Sequence, residues 1–347
     1  MGEVTDIRSM TRDELTAYVE SLGERSFRAK QLYGWLHVRC AADTAEMTDL
    51  PLSFREKLEE ETNVRGLSAV QVLKSAIDGT EKYLFALADG NVVESVLMRY
   101  HHGNSVCISS QVGCRMGCAF CASTIGGRVR DLSAGEMLGQ IYGIQRATGE
   151  RVSNVVVMGS GEPLDNYEAL IRFIRLLTDD NGLHISQRNV TVSTCGIVPR
   201  IYDLAKEGLT VTLALSLHAS TQEKREKLMP IAKKYALGEV MGACAHYREV
   251  TGRRMTFEYS LVRGVNDTAE DARELAGLLA GHDGHVNLIS VNPVKERPFA
   301  APDRRAVEAF KKKLENYGIN VTIRREMGRD INGACGQLRR SYIRETG

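Results

Sequence analysis

The 347-residue chain has no stretch near the roughly 18 consecutive apolar residues that a membrane-spanning helix requires. Its opening, MGEVTDIRSM, holds no apolar run of the signal-peptide kind. Both absences lead us to expect a soluble, cytoplasmic protein. Net charge is lacking too: 45 Lys and Arg against 44 Asp and Glu leave +1. That balance by itself points to no nucleic-acid partner, but affinity depends on local basic patches and not on the total. There is no low-complexity segment. A chain this long can bury an ordinary core and needs no disulfide framework. Cysteine is nevertheless present at Cys40, Cys107, Cys114, Cys118, Cys121, Cys195, Cys244 and Cys335. In a cytosolic chain these are metal ligands, catalytic thiols or small core residues rather than disulfide partners.

Three patterns follow one another along the chain. Residues 7 to about 62 read as helices. TRDELTAYVESLG opens with Thr11 and has Glu14 three residues on, a capping box, and stops at Gly23. FRAKQLYGWLH offers an apolar face at Leu32, Trp35 and Leu36, and PLSFREKLEEE starts a third helix at Pro51. Residues 68–100 alternate with period two, broken at Asp78-Gly79 and Asp89-Gly90, which predicts a three-strand meander forming a small bridging sheet. From about 105 apolar strands alternate with helices. The predicted strands are SVCISS, SNVVVMG, NVTVST, TVTLALSLH, RMTFEYSLV and HVNLISVN. Predicted helices lie at about 134–148, 167–178, 199–207, 237–251, 269–281 and 303–317, and INVTIRR offers a further strand. Apolar strands spaced by helices argue for parallel βα units covered on both faces. Six units fall short of eight, so the expected fold is α/β with a partial (βα)6 barrel, and a doubly wound open sheet is the rival. The expected divisions are 1–62 (helical), 63–103 (β linker), 104–300 (barrel core) and 301–347 (helix, strand and catalytic-cysteine loop).

Within GCRMGCAFCAS, Cys114, Cys118 and Cys121 are spaced C-x3-C-x2-C directly after a strand. Structural zinc would want a fourth Cys or His nearby, and His101 and His102 lie upstream beyond that strand. A [4Fe–4S] cube fits three thiolates better, because its fourth iron keeps an open position for a chelating ligand. Phe120 is placed to shield the cube. Downstream, GSGEP supplies Gly161 for close backbone approach and the carboxylate of Glu162 for an ammonium group. Further strand ends carry polar residues: Ser193, Ser216 and His218 flanking Leu217, and Asn292. Singly each is an ordinary turn residue or helix cap. Together, at the face where barrels put their active sites, they favour a cofactor pocket.

The cysteine spacing, with an aromatic before the last cysteine on the first loop of a partial barrel, resembles the radical S-adenosylmethionine (SAM) superfamily. The resemblance implies that SAM chelates the fourth iron and is cleaved by one electron to a 5′-deoxyadenosyl radical. It also implies that Gly161, Glu162, Ser193, Ser216, Leu217, His218 and Asn292 hold SAM.

A closer resemblance comes from CISSQVGCRMGCAFCAS, VVVMGSGEPLDN, SLHA, NPVKERP and DINGACGQL together. These are similar to the RlmN family, which methylates C2 of an adenosine in 23S ribosomal RNA and, in some members, of the tRNA adenosine 3′ of the anticodon. The resemblance covers nearly the whole chain. It assigns Cys335 as the thiolate that takes a methyl group from one SAM. A second SAM, cleaved at the cluster, activates that methyl for addition to C2. Glu94 matches the family's proton acceptor, and Cys107 matches the thiol that attacks Cys335 and releases the product as a disulfide forms. Cys335 lies between Gly333 and Gly336 with Arg324, Arg325, Arg329, Arg339 and Arg340 nearby, and positive charge favours a thiolate. A small electron donor such as flavodoxin or ferredoxin, a thiol reductant, 23S rRNA, tRNA and a monomeric state complete the expectation. Two departures stand out: Cys195 where many relatives have Ser, and Gly333 where Ala is commoner.

The RNA-facing candidates are Arg25, Arg28 and Lys30 in the N-terminal helices, Arg128 and Arg130 after the cysteines, and the C-terminal arginines. The target base must leave its stack to reach a barrel interior. Three rival readings remain. One is a C8-methylating sister family, which has Ala where this chain has Pro163. The others are a radical SAM enzyme acting on protein or small molecules, and a zinc-dependent RNA-binding module.

Overall fold

The computed structural model describes residues 4–331, 338, 339 and 342. The chain begins with helices α1 (Arg12–Ser21), α2 (Phe27–His37) and α3 (Leu52–Glu61). The capping box is formed as the sequence predicts: Glu14 N donates to Thr11 Oγ1 at 3.3 Å, and Thr11 N donates to Glu14 Oε2 at 2.8 Å. These helices dock on the rest of the chain through polar contacts. Ser133 Oγ donates to Asp6 at 2.6 Å, Tyr33 donates to Asp179 at 3.0 Å, and His37 Nδ1 lies 2.7 Å from the Tyr142 hydroxyl.

The strands are β1 (Ser68–Lys74), β2 (Glu81–Ala86), β3 (Val92–Tyr100), β4 (Gly103–Cys107), β5 (Gln111–Gly113) and β6 (Arg128–Asp131), followed by β7 (Val152–Val157), β8 (Val190–Thr194), β9 (Thr212–Ser216), β10 (Met255–Leu261), β11 (Gly284–Ser290) and β12 (Val321–Ile323). The helices after α3 are α4 (Ala134–Thr148), α5 (Tyr167–Leu177), α6 (Val198–Lys206), α7 (Gln222–Leu228), α8 (Leu237–Thr251), α9 (Ala269–Leu279) and α10 (Arg304–Asn316).

Ten strands form one sheet in the order β1-β2-β3-β4-β7-β8-β9-β10-β11-β12. From β4 onward neighbouring strands are parallel and follow chain order without reversal. A doubly wound sheet reverses its strand order at a switch point, whereas a barrel winds in one direction. The sequential order is therefore that of a partial barrel, and INVTIRR does supply its last strand, β12.

The meander is not a separate bridging sheet, as the sequence led us to expect. β3 pairs antiparallel with β4, so β1–β3 extend the barrel sheet. β2 and β3 are buried nearly throughout. Helix α4 covers one face, where Ser95 Oγ donates to Gln140 Oε1 at 2.7 Å. Two further elements escaped the sequence reading. The short hairpin β5–β6 brackets the cysteine loop, and α7 lies between β9 and α8.

Candidate active site

Cross-strand register assembles one wall of the site. Lys82 on β2 stands opposite Val96 on β3, Val96 opposite Cys107 on β4, and Cys107 opposite Val156 on β7. Side chains two residues apart on a strand share a face, so Glu94 lies on the same side as Val96. Cys107 is buried against Val96 and Met98, with Met158 packed beside them. Glu94 is 3% exposed and forms an ion pair with Lys82, which is 0% exposed, at 3.0 Å. Arg339 N donates to Glu94 Oε1 at 2.6 Å, and Arg339 Nε donates to the Val92 carbonyl at 3.0 Å. The C-terminal segment thus reaches this wall four residues beyond Cys335, which itself lies outside the described residues.

The cysteine loop runs between β5 and β6, where Cys114 N donates to the Gly127 carbonyl at 3.0 Å. Thr124 Oγ1 donates to the carbonyls of Cys118 and Cys121 at 3.1 and 2.9 Å, which fixes the loop's turn. The ring of Phe120 meets His218 edge-on, with centroids 5.0 Å apart. Burial pushes the Cys114 thiol up to about 12, and the charges of Cys121, Glu162 and Asp165 add to the effect. Cys118 is raised further, by burial first and then by Cys121 and Cys114. Cys114 is buried and Cys118 and Cys121 are half-buried on this loop; as thiolates they need a cationic group to hold them, and a cube of iron provides it. Among the described residues no three His, Cys, Asp or Glu side chains converge as ligands of one ion would. Thiolates of a [4Fe–4S] cube bind different irons, so three cysteines on one loop can hold it without meeting at a single point, and its fourth iron needs no protein ligand.

GSGEP follows β7. Gly161 has φ +109°, and a Cβ there would lie 2.7 Å from the Gln111 side chain, so only glycine fits. Glu162 is held on three sides. Its N donates to Gln111 Oε1 at 2.8 Å, its Oε1 accepts from Leu164 N at 3.1 Å, and its Oε2 accepts from Cys195 N at 2.8 Å. Burial pushes its carboxyl above the ordinary range. Such a group gains from a cation placed beside it.

The structure brings most of the other candidates together. Ser193 and Ser216 have their hydroxyls 3.3 Å apart across β8 and β9. Leu217 N and His218 N both donate to the Glu258 carbonyl, at 3.0 and 3.2 Å. His218 has φ +56°, and its Nδ1 accepts from Ser260 N at 3.0 Å. Burial lowers its imidazole to about 3. Asn292 lies two residues beyond β11 and is exposed. Cys195 is buried beside Cys118, and its thiol is raised well above the ordinary range by burial and then by Glu162. Sequence reasoning missed Lys82, Gln111 and Arg225. Lys82 left one weak signal, a charge inside the apolar strand EKYLFALA.

Comparison with known proteins gives a consistent picture. The model of the radical SAM superfamily matches residues 108–278, and that of the ribosomal RNA large subunit methyltransferase N-terminal domain matches residues 5–64. A "Probable dual-specificity RNA methyltransferase RlmN" of Lachnospira eligens is 61% identical over 342 residues, 99% of this chain and 98% of that protein. Its namesake in Lachnoclostridium phytofermentans is 58% identical over 344 residues, 99% of this chain and 97% of that protein. A crystal structure of a radical SAM methyltransferase from Sphaerobacter thermophilus superposes with TM-score 0.93 at 41% identity, covering 96% of this chain and 98% of that one. With that fold and cysteine loop, and relatives alike over nearly their full length, the chain belongs to the dual-specificity RNA methyltransferase RlmN family of the radical SAM superfamily.

Proposed function

We propose that the chain methylates C2 of an adenosine in 23S rRNA, and of the tRNA adenosine 3′ of the anticodon, through a methylated cysteine. The observation that carries this reading is the interior row Lys82–Val96–Cys107 with Glu94 beside it. Adenine C2 is electrophilic and cannot attack the methyl group of SAM, so polar methyl transfer fails there. When bound at Cys114, Cys118 and Cys121, the [4Fe–4S] cluster supplies the electron that turns a second SAM into a hydrogen-abstracting radical.

This chain's own residues do the rest. Cys335 carries the methyl carbon and bonds it to C2. Glu94, buried and held by Lys82, takes the C2 proton. Cys107 forms a disulfide with Cys335, which breaks the carbon–sulfur bond; the electron pair stays with the carbon, which takes a proton and leaves as the methyl group of the base. Glu162 receives the SAM ammonium beside Gly161. Ser193, Ser216, Leu217, His218 and Asn292 contact the rest of SAM. An external one-electron donor, flavodoxin or ferredoxin in kind, and cellular thiols restore the enzyme, which acts as a cytoplasmic monomer. No described helix is long and apolar enough to cross a membrane.

The test is anaerobic reconstitution with labelled SAM and protein-free 23S rRNA, followed by nuclease digestion and mass spectrometry. We expect 2-methyladenosine from the wild type. We expect no turnover from Cys335→Ala, and RNA left covalently attached to Cys107→Ala. Recovery of 8-methyladenosine would assign the chain to the sister chemistry. Repeated turnover by Cys335→Ala would remove the methyl-cysteine altogether.

A further inference from the structure

Helix α7, QEKREKL, has the composition of a solvated surface helix, yet Arg225 at its centre is 0% exposed. Its Nη2 donates to the carbonyls of Cys195 and Ser216 at 2.6 and 3.4 Å, and its Nε donates to the Leu217 carbonyl at 3.3 Å. These three carbonyls close the ends of β8 and β9, where the proposed SAM contacts Ser193, Ser216 and Leu217 sit. Nη1 is buried with no hydrogen-bond partner, and no carboxylate pairs with this guanidinium among the described residues. A buried charge without an opposite charge is strongly unfavourable, and arginine does not escape by losing its proton. Something anionic therefore belongs next to it.

The neighbours say what that is. Leu228 O accepts from Ala119 N at 2.8 Å, which ties α7 to the cysteine loop. Cys195, Leu228 and Met229 form one buried cluster against which Cys118 and Phe120 pack. Cys118, a proposed cluster ligand, thus packs on the same cluster as Cys195, whose carbonyl Arg225 binds.

We propose that Arg225 is the charge-compensating residue of the iron–sulfur site, offsetting the negative charge of the cluster with its thiolates and so raising its reduction potential. The inference rests on the assignment of Cys114, Cys118 and Cys121 as cluster ligands. Three thiolates leave the assembly anionic, and the electron accepted from the external donor deepens that charge. A fixed cation then stabilises the reduced form more than the oxidised form. The same guanidinium holds the two strand ends in register through three hydrogen bonds, so it positions SAM without touching the reacting atoms.

The test compares Arg225→Gln with Arg225→Lys in the full-length, anaerobically reconstituted protein. Iron and sulfide content, the midpoint potential by paramagnetic-resonance redox titration, and SAM affinity are read for each. In the Gln variant we expect at least a tenfold fall in the ratio of reduced to oxidised cluster at fixed potential, about 59 mV for a one-electron couple. The Lys variant keeps the charge and should stay close to the wild type in potential. Equal potentials in wild type and Gln variant overturn the proposal, as do equal shifts in both variants. Weakened SAM binding at unchanged potential would assign Arg225 to the SAM carboxylate and likewise overturn it. If the Gln variant takes up no cluster, thermal unfolding of the cluster-free proteins decides. A cluster-free Gln variant as stable as cluster-free wild type supports charge compensation, and one that is unfolded shows a purely structural role. Wild-type protein without a four-iron cluster would sink this inference and the functional reading together, whereas a loaded enzyme whose potential ignores residue 225 sinks only this inference.

Discussion

Lys82 and Glu94 meet at 3.0 Å with almost no access to water, and the ion pair offsets part of the cost of burying each charge. Breaking a buried pair from one side leaves an unpaired charge in the interior, at a typical cost of about 3–5 kcal/mol. Lys82→Met should therefore lower the unfolding free energy by about that amount, measured by denaturant titration. The double variant Lys82→Met with Glu94→Leu should regain most of the loss, because replacing a whole buried pair with apolar groups is often close to neutral. Equal destabilisation by the single and double variants would show that the two residues are not coupled. The pair also explains why Glu94 is aimed inward. Held by Lys82 and the Arg339 amide, the carboxylate stays in the wall beside Cys107. A lysine in an apolar strand reads as an edge or surface residue until the neighbouring strands are in place. Its partner 12 positions on is adjacent only because β2 and β3 pair in this register.

At the scale of elements, the sequence was most informative where period, caps and length agree. α4 and α8 fall on the predicted 134–148 and 237–251, because each ends at a glycine in the left-handed region, Gly149 and Gly252. Short elements were opaque. The three-residue strand β5 has no period to read, and α7 is seven residues with five charges that conceal Arg225. Cys114, Cys118, Cys121 and GSGEP were legible because their chemistry lies in local spacing, whereas Lys82 and Arg225 act through burial that only tertiary packing creates. The contact between α2 and α4 gives a pH prediction. Burial lowers the His37 imidazole from 6.5 to about 3, while its Nδ1 is satisfied by Tyr142 and its Nε2 has no hydrogen-bond partner. The folded state thus binds this proton less readily than the unfolded chain. The resulting stability is fully present above pH 6.5 and is lost as pH falls toward 3. At pH 5 the loss is about 2 kcal/mol for this group alone. His37→Asn keeps a polar partner for Tyr142 and does not titrate. Its melting temperature should fall less steeply between pH 7 and pH 5 than that of the wild type. Parallel curves would mean that His37 is protonated in the folded protein.

For the whole molecule the question is how a chain of net charge +1 engages RNA. The basic residues after the cysteine loop are not free to do so. Arg128 pairs with Asp131 at 2.8 Å, and Arg130 pairs with Asp89 and Glu136 at 2.5 and 2.8 Å. The N-terminal helices differ. Arg25 and Lys30 are exposed and form no ion pair among the described residues, and they flank Phe27, which is 49% exposed. Arg28 lies over the Phe27 ring at 4.7 Å while its Nη1 donates to Gln31 at 2.7 Å. Two free cations beside an exposed ring are the parts that bind unpaired nucleotides, charge for phosphate and ring for base. Arg25→Ala with Lys30→Ala should weaken RNA binding at low salt and leave SAM binding unchanged, since neither residue is among the proposed SAM contacts. If each meets one phosphate of unpaired RNA, the slope of log affinity against log salt should become shallower by about 1.4. Phe27→Ala should weaken binding by about 1–3 kcal/mol without altering that slope, because stacking releases no counterions. Affinity titrations at several salt concentrations separate the two contributions. An unchanged slope in the double variant would move the RNA contact away from these helices, to the exposed Arg324, Arg325 and Arg329 beyond β12.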